Sequence, residues 1–493
     1  MLMKNFTKFL CISVLASVTV AAVAESYTTL GDGTNYTLQL LAETSGSGVS
    51  LESDGVYVLD GDITIEAGDS FTLDNGVTLK MGNNAQLTIA GEANFDCTDL
   101  TTITKNAETD EPKGFYINTE LTDFTYKLTN IRFEYAGLRA FMTASMEMKN
   151  CQFVYNNGAS SSSGALAINL SDGSYVISDC DFIENIVPAV GTGANVAVAL
   201  TIENCIFRDN NTENRNKPQV NLTAGGNNDI VIKNSTFEGA QRDKVGGISV
   251  SNMMDIAGTN NVLIEGNTLT EHRYGITTLG ALNVRIINNH MVNNNHETNA
   301  MNGGSGISIY DTNYAQDVYI EGNYIENSLW GITIIGGKNV NVGKTEVDKS
   351  ASDYNPGRNV FVDNGNGGQL YDLYNNGTNT VYAQGNTWNV ANQTAEEIET
   401  VITHKADNNA LGEVIFMDES NGLESNLIDS YTFNSASKQL CGLNDCCVVR
   451  VYSLNGSLVN QVAVEGGVAN LSELTQGVYI VHINNSSCIK VVI

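Results

Sequence analysis

Apolar residues alternate along short runs of this chain, and the alternation shifts by one position at recurring places. In the run Leu200-Thr-Ile202-Glu-Asn-Cys205-Ile-Phe207 the apolar positions are even before Asn204 and odd after it. A strand with one buried face cannot change parity in this way unless the chain turns a corner. The pattern therefore predicts two short strands that are joined by a bend at Asn204.

This unit recurs seven times between residues 150 and 330, at intervals of 22 to 34 residues. The corner residue in each copy is Asn, Asp or Gly, the types that best accept a left-handed backbone. The corners are Asn150, Asp179, Asn204, Asn234, Gly266, Asn288 and Gly322. Two inward ladders follow them: Cys151, Cys180, Cys205, Ser235, Asn267, Asn289 and Asn323, and then Phe153, Phe182, Phe207, Phe237, Leu269, Met291 and Ile325. Self-similarity at this period predicts a solenoid.

A third strand follows a loop in several units, where Gly precedes Ile, as at Gly247-Ile248 and Gly275-Ile276. Three strands a coil make a parallel β-helix, and right-handed winding is the rule for parallel crossovers. The alternation from Tyr57 to Ile89 places the start of the solenoid there. Because open solenoid ends need covers, we expect a helical cap within 25–56, from residues 35 to 42, and a second cap at 395–415, whose helix covers 395–404.

Composition and charge indicate the cellular location of this all-β chain and the partners it can have. It has 47 Gly and only 4 Pro, which suits many tight turns. Residues 1–24 have two lysines, an apolar run and the ending Ala22-Val23-Ala24, which together predict a secretory signal peptide. Its removal leaves 23 basic and 55 acidic residues, a net charge of 23 − 55 = −32. A chain this acidic argues against nucleic acid and anionic lipid as partners. Calcium stays possible, and no other cofactor is suggested. We expect an exported monomer.

The repeat resembles the right-handed parallel β-helix proteins that include pectate lyases, polygalacturonases and many bacterial surface proteins. The resemblance covers roughly residues 57 to 415 and implies the fold, with the β-helix occupying 25–420. It implies little about function, because this fold carries many activities.

The segment 421–493 has a second, sharper resemblance. Val449-Arg-Val-Tyr-Ser-Leu-Asn-Gly456, then 470–481 and the terminal run 489–493 are similar to the type A C-terminal sorting domain of the Bacteroidetes type nine secretion system. Read without the family, the segment predicts a small β-sandwich with an Asn-Gly turn. The resemblance implies export by the type nine machinery, across the outer membrane, and attachment to the cell surface.

Cysteines fall into two groups that need separate explanations. Those of the ladder, such as Cys151, most simply act as small buried apolar groups. The other four lie in the sorting segment, whose resemblance does not require them. Disulfide pairing of Cys441, Cys446 or Cys447 with Cys488 fits the exported setting, and zinc fits less well because Cys446-Cys447 lacks ligand spacing.

Candidate binding residues lie in the loops that follow the second ladder, which stack into one flank of the solenoid. Cations and aromatic residues are concentrated there, which suggests contact with an anionic extracellular polysaccharide. The alternative is that Asp209, Glu213, Glu238, Asp243 and Glu271 pair with these cations in a solvated network. The candidates are Arg215, Lys217, Arg242, Lys244, His272, Arg273, Tyr274 and Trp330.

Two functions therefore stay open. The chain has no Asp-Asp pair and no Gly-His-Gly of the kind that a hydrolase resembling polygalacturonases needs, so we cannot assemble a complete catalytic set. We favour a surface-displayed protein that binds a polysaccharide, or an adhesin, without catalysis. The alternative is a lyase acting on uronate-containing glycans, with Lys217, Arg242, Lys244 or Arg273 as its base.

Overall fold

The computed structural model describes residues 26–310, 316–417, 432–434, 437–443, 448–453, 456–483 and 487–493. Up to residue 417 they form a right-handed parallel β-helix, and the later ones form a small β-sandwich, as predicted. The proposed signal peptide, residues 1–24, lies outside the described residues. Nothing in the structure therefore tests that prediction.

Most coils of the β-helix contribute one strand to each of three sheets, in the order sheet 1, sheet 2, corner and sheet 3. The pairing is parallel except at the start of sheet 3, where Val49–Ser53 is antiparallel to Val56–Leu59, and the last two coils add strands to sheets 1 and 2 only. Sheet 1 consists of Tyr27–Thr28, Asp62–Ile65, Gln86–Ile89, Gly114–Thr119, Gly137–Met142, Leu166–Ser171, Val190–Thr192, Val220–Thr223, Ile248–Asn252, Ile276–Gly280, Ser305–Tyr310, Trp330–Ile335, Leu373–Asn375 and Ile402–Thr403. Its predicted Gly-Ile strands pair in register, Ile248 with Ile276 and Ile276 with Ile307.

Sheets 2 and 3 meet at the corner. Two long strands, Glu92–Lys105 and Thr125–Glu134, run through the corner and belong to both sheets. The other strands of sheet 2 are Asn35–Tyr36, Ser70–Thr72, Ser145–Lys149, Ser174–Ser178, Ala199–Glu203, Ile230–Lys233, Asn261–Glu265, Asn283–Ile287, Asp317–Glu321, Asn339–Gly343, Val381–Ala383 and Val414–Ile415. Those of sheet 3 are Val49–Ser53, Val56–Leu59, Thr78–Met81, Gln152–Val154, Asp181–Ile183, Ile206–Arg208, Thr236–Glu238, Thr268–Thr270, His290–Val292, Tyr324–Glu326 and Val360–Val362.

The predicted corners are confirmed. All seven have φ between 52° and 67°, the left-handed region that Asn, Asp and Gly adopt at least cost. The same conformation continues beyond the recognised repeat, at Asn130 on one side and at Arg358 on the other. The parity shift in the sequence therefore corresponds to one backbone conformation repeated coil after coil.

The two inward ladders are also confirmed, because every one of their side chains is buried. The rings of Phe153, Phe182, Phe207 and Phe237 stack in parallel with centroids 4.5 to 5.0 Å apart. This spacing follows the separation of neighbouring strands, about 4.8 Å. The cysteines Cys151, Cys180 and Cys205 are buried free thiols, as expected of small core groups.

Farther along, the first ladder becomes a row of buried amides. The side-chain carbonyl of Asn289 accepts hydrogen bonds from the backbone N–H and the side-chain amide of Asn267, each at 3.0 Å. The amide nitrogen of Asn289 donates to Asn323 at 3.0 Å and to the carbonyl of Ile264 at 2.9 Å. Asn323 repeats the pattern with Asn359. Each rung therefore satisfies the backbone groups that the bend removes from the sheets.

The first coil begins earlier than the sequence suggested. Tyr27–Thr28 pairs with Ile63 and Thr64 of sheet 1, and Asn35–Tyr36 pairs with sheet 2. Strands of two residues are too short to show alternation, so the expectation of a start at Tyr57 was wrong. The helix Leu38–Glu43 closes this coil and buries Leu38 and Leu41.

The helix expected at 395–404 is shorter and is followed by strand. It covers Ala395–Glu399, and Thr394 caps its start. Ile402 then pairs with Leu373 in sheet 1, and Val414 pairs with Val381 in sheet 2. Pairing with an exposed sheet edge outweighs the helical periodicity of this segment, so the last coil is a true coil.

The C-terminal unit consists of two four-stranded antiparallel sheets. One contains Thr432–Asn434, Gln439–Cys441, Val468–Asn470 and Val464–Glu465, and the other contains Leu458–Val462, Val449–Ser453, Val478–Ile483 and Ser487–Val492. Side chains of both, among them Leu440, Ala469, Val451 and Val481, form one buried core. This is the predicted β-sandwich.

Replacing Asn289 with Ala should destabilise the β-helix strongly. The change removes the bonds to both neighbouring rungs and to Ile264, and leaves buried polar groups unpaired. We expect the free energy of unfolding in urea to fall by on the order of 3 kcal/mol. Asn283→Ala on the exposed face of the same coil is the control and should change it by less than about 0.5 kcal/mol. Equal losses in the two variants would contradict the ladder's role.

Candidate functional site

The loops that follow sheet 3 form one continuous flank of the solenoid. The side chain of Asn214 donates to Asp243 at 2.5 Å and accepts from the backbone of Lys244 at 3.1 Å. Arg273 donates to Asn216 at 2.5 Å. The candidate residues of successive coils therefore do lie side by side.

Most of the candidate cations in this flank are occupied by carboxylates. Arg242 forms a salt bridge with Asp209 at 2.6 Å, and Arg215 forms one with Glu213. Arg273 contacts Glu297 at 2.6 Å, and only 14% of its side chain is exposed. These pairs correspond to the network alternative, in which the cations neutralise local acids.

The two lysines of the flank differ from the arginines. Lys217 donates to the carbonyl of Ser162 at 2.9 Å, and burial, with a contribution from Arg215, lowers its pKa. Lys244 is exposed, and no salt bridge among the described residues includes it. Lys217 therefore ties the flank to the loop 159–163, whose sequence is Ala-Ser-Ser-Ser-Ser; we call it the serine loop.

His272 is a correction to the candidate set. Its side chain is buried inside the coil, between Gln219 at 2.7 Å and Asn294 at 3.1 Å. The Gln219 amide donates to Nε2, so Nδ1 carries the proton and donates to Asn294. Burial lowers the pKa of His272 to about 4. This residue is a rung of an interior polar ladder and has no access to a polymer outside.

The two aromatic candidates are engaged in packing. The ring of Tyr274 lies against Gly246, where a Cβ would come within 2.1 Å of it, and burial raises the pKa of Tyr274 to about 12. The indole N–H of Trp330 donates to the carbonyl of Ala300 at 2.8 Å. The Trp330 ring stacks near Tyr371 and Tyr374, with centroids 4.6 and 5.3 Å away.

A group that the sequence did not single out lies on the outer face of sheet 1. Tyr116, Asn118, Arg139 and Phe141 point outward from two adjacent strands, Gly114–Thr119 and Gly137–Met142; we call this group the Arg139 platform. The guanidinium of Arg139 lies 4.6 Å from the ring centroid of Tyr116. Phe141 is 41% exposed, so the platform offers an aromatic surface beside a cation.

Arg139 stands apart from the flank arginines because it lacks an acidic partner. Its neighbours across the sheet are Tyr116 and Ala167, and no salt bridge within the described ranges involves it. Its Nε atom is buried, and the described part of the chain supplies no hydrogen bond to it. A buried donor without a partner is costly. The side chain as a whole is only half-buried, and its terminal nitrogens are not among the buried groups without a partner, so they can bind a carboxylate or sulfate from outside through two parallel hydrogen bonds.

The serine loop borders the Arg139 platform. A Cβ placed on Gly137 would lie 3.0 Å from Cβ of Ser160, so the loop passes directly over the strand that carries Arg139. The hydroxyls of Ser161 and Ser163 bond each other at 2.7 Å. Lys217 holds this loop from the flank, and the platform and the flank therefore form one connected surface.

A separate groove of about 410 Å³ lies on the outer face of sheet 2. Arg285 covers the ring of Tyr319 at 4.1 Å, and Lys344 covers that of Tyr382 at 4.3 Å. Lys344 also pairs with Asp353 at 2.7 Å. A cation covers each of these rings, as Arg139 covers Tyr116, but the groove also contains the carboxylates of Asp317 and Asp353, so it suits an acidic polymer less well than the platform.

The described residues show neither a cluster of metal ligands nor a pair of bonded cysteines. No group of three or more possible ligand side chains clusters in the described ranges. Cys441 is half-buried, whereas Cys446, Cys447 and the side chain of Cys488 lie outside the described residues, so the disulfide stays a prediction. No helix in the part of the chain that the structure describes is long and apolar enough to span a membrane.

Comparison with known proteins identified similar folds only. No protein-family model and no curated protein matched the chain. A variant of the periplasmic alginate epimerase AlgG is 11% identical, with a TM-score of 0.42 over 78% of this chain and 83% of that one. The tailspike gp49 of Acinetobacter baumannii bacteriophage Fri1, a capsular polysaccharide depolymerase, is 9% identical, with a TM-score of 0.26 over 95% and 77%. Similarity at this level carries no functional argument.

His272 should make the stability of the fold depend on pH. Its pKa is about 4 in the folded chain against 6.5 as the ordinary value, so only the unfolded chain takes up a proton between these limits. We expect its contribution to the free energy of unfolding to fall by on the order of 3 kcal/mol from pH 6.5 to pH 4. His272→Gln should flatten this slope and run parallel to the wild type above pH 7. Identical slopes throughout would contradict the assignment.

Proposed function

We propose that this protein binds an acidic extracellular polysaccharide on the outer face of sheet 1, at the Arg139 platform, without catalysis. The observation that carries the proposal is Arg139 itself, a half-buried cation over the ring of Tyr116 that has no salt bridge in the described part of the chain. In a chain with a net charge of −30, a guanidinium without a carboxylate partner is suited to an anionic ligand. Tyr116 and Phe141 supply the apolar contact that the face of a sugar ring needs.

The shape of the solenoid supports a polymeric ligand. Sheet 1 has fourteen parallel strands, so its outer face is a long strip with one repeat about every 4.8 Å. On the N-terminal side of the platform this face continues through the uncharged, partly exposed residues Thr88 and Thr64. On the other side Ala167 is buried, and Gly191 lies beneath the serine loop. A chain of sugars can therefore extend from the platform toward Thr88 and Thr64 without meeting opposing charge at these positions.

The ion pairs of the flank favour binding over lyase chemistry. A lyase base must give up its proton and reach the substrate, whereas Arg242 and Arg273 are held by Asp209 and Glu297. Lys217 and Lys244 have no carboxylate partner among the described residues, and of the two Lys217 suits a base better, because its pKa is lowered and it lies beside the serine loop. A uronate lyase with Lys217 as its base is therefore the second candidate.

Arg139→Ala should weaken binding of an acidic polymer about tenfold or more, because a charge-assisted bidentate contact is lost. Polygalacturonate and alginate oligosaccharides are suitable probes, with dextran oligosaccharides as the uncharged comparison and calorimetry as the measurement. Arg208→Ala is the matched control, since Arg208 is an exposed arginine already paired with Glu238 on sheet 3.

Two results would count against this function. Unchanged affinity in Arg139→Ala, or equal loss in Arg208→Ala, would remove the platform from the proposal. Steady formation of unsaturated products, seen as ultraviolet absorbance, would overturn binding without catalysis. If Lys217→Ala then abolished that product while the acidic polymer still bound, the lyase candidate would replace it.

We also propose that the chain is displayed on the cell surface, with residues 421–493 as its sorting domain. The resemblance to type nine sorting domains and the signal-like residues 1–24 support this proposal. The antiparallel sandwich agrees with it, because the strand Ser487–Val492 forms its edge and Ile493 exchanges backbone hydrogen bonds with Gly477.

Removal of residues 421–493 should stop surface display. In a Bacteroidetes host with the type nine system, we expect the full-length chain to be accessible to protease added to whole cells. The chain ending at residue 420 should instead accumulate in the periplasm, as measured by fractionation and immunoblotting. Surface exposure of the shortened chain would contradict the role of the C-terminal unit.

A further inference from the structure

A second surface feature lies at the corner after sheet 3, away from the Arg139 platform. The residues at this corner adopt the left-handed conformation in many coils; four of them are of types that suit it, Asp209, Asn293, Asn327 and Asp363, and two are glutamates, Glu184 and Glu271. In two adjacent coils the residue is instead a tyrosine, Tyr135 with φ 58° and Tyr155 with φ 56°. A bulky residue in this conformation is strained, so the backbone does not explain why tyrosine is present.

The two tyrosines form a stacked pair with one open member. Their ring centroids are 5.6 Å apart and the planes are inclined by 29°. The ammonium of Lys105 lies 4.1 Å over Tyr135, so that ring is covered on both faces. Tyr155 is 38% exposed, and in the described part of the chain no hydrogen bond to its hydroxyl occurs. The stack therefore presents one ring to solvent.

A cleft of about 410 Å³ opens beside this ring. Tyr135, Tyr155, Asn157, Asp110, Glu111 and Glu184 line it; we call it the Tyr155 cleft. Within the described ranges, Glu111 and Glu184 have no salt bridge, and Lys105 is neutralised by Glu108 at 3.2 Å. The cleft thus combines an open aromatic face with free carboxylate acceptors and a negative charge.

We propose that the Tyr155 cleft is a carbohydrate site that takes an uncharged pyranose. The apolar face of the sugar packs on Tyr155, and its hydroxyls donate to Glu111 and Glu184. The negative charge of the cleft repels a uronate, so its ligand differs from that of the Arg139 platform. The inference does not rest on the proposed function, since it uses other residues and another ligand chemistry.

Tyr155→Asn tests this inference without disturbing the corner, because Asn is the residue that other coils place there. The full chain would be titrated calorimetrically with uncharged gluco-, manno- and galacto-oligosaccharides, and in parallel with uronate and amino-sugar oligosaccharides. We expect the wild type to bind at least one uncharged series and Tyr155→Asn to bind it at least tenfold more weakly. Tyr310→Ala, at a tyrosine of similar exposure on another face, should bind it normally.

The thermal midpoint separates a binding role from a structural one. If Tyr155 serves a ligand, Tyr155→Asn should keep or raise the midpoint while affinity falls. Glu184→Gln should also reduce the affinity, and Arg139→Ala should leave it unchanged. Failure of all uncharged sugars to bind, binding of only uronate or amino-sugar series, or unaltered affinity in Tyr155→Asn would overturn the inference. Loss of acidic-polymer binding in Arg139→Ala alone bears only on the platform.

Discussion

The bend between sheets 2 and 3 imposes a constraint that the rest of the β-helix obeys. A chain that turns so sharply needs a left-handed residue at the bend, and it removes the next residue from regular sheet pairing. That next residue points inward, where unpaired backbone groups are costly. In the structure these backbone groups bond to a side chain of the neighbouring coil. That side chain is an amide in Asn289 and Asn323, a hydroxyl in Ser235 and a thiol in Cys180. The coils are held in register by this column as well as by the sheets.

Local signals made this part of the fold predictable from sequence. Alternation defines the strands, and the Asn, Asp and Gly positions define the bends, because both depend on residues adjacent in the chain. The first coil and the helix end near residue 400 depend on pairing with distant strands, so their local patterns were misleading. The prediction that His272 binds a ligand was wrong for a similar reason. His272 lies just beyond the corner after sheet 3. The interior ladder at that corner runs through Asn210, Gln219 and Asn294, which have no fixed spacing in sequence.

The candidate site illustrates the same limit. The sequence correctly brought the loops after sheet 3 together, but it could not show that Asp209 and Glu297 neutralise the arginines there. Arg139 was missed because the absence of an acidic partner depends on its neighbours across the sheet, Tyr116 and Ala167, which are distant in sequence. Its signal is the alternation Gly137, Arg139, Phe141, which places a cation and an aromatic residue on one outer face.

The mixed chemistry of the corner ladder has an evolutionary consequence. Thiol, hydroxyl and amide rungs occupy equivalent places, and each bonds only to the coils directly beside it. A coil can therefore be duplicated or deleted within the solenoid with little penalty at the joint, provided that a left-handed residue precedes its rung. Lineages of this protein should vary in length by whole coils, so that the solenoid becomes longer or shorter while its two ends stay the same.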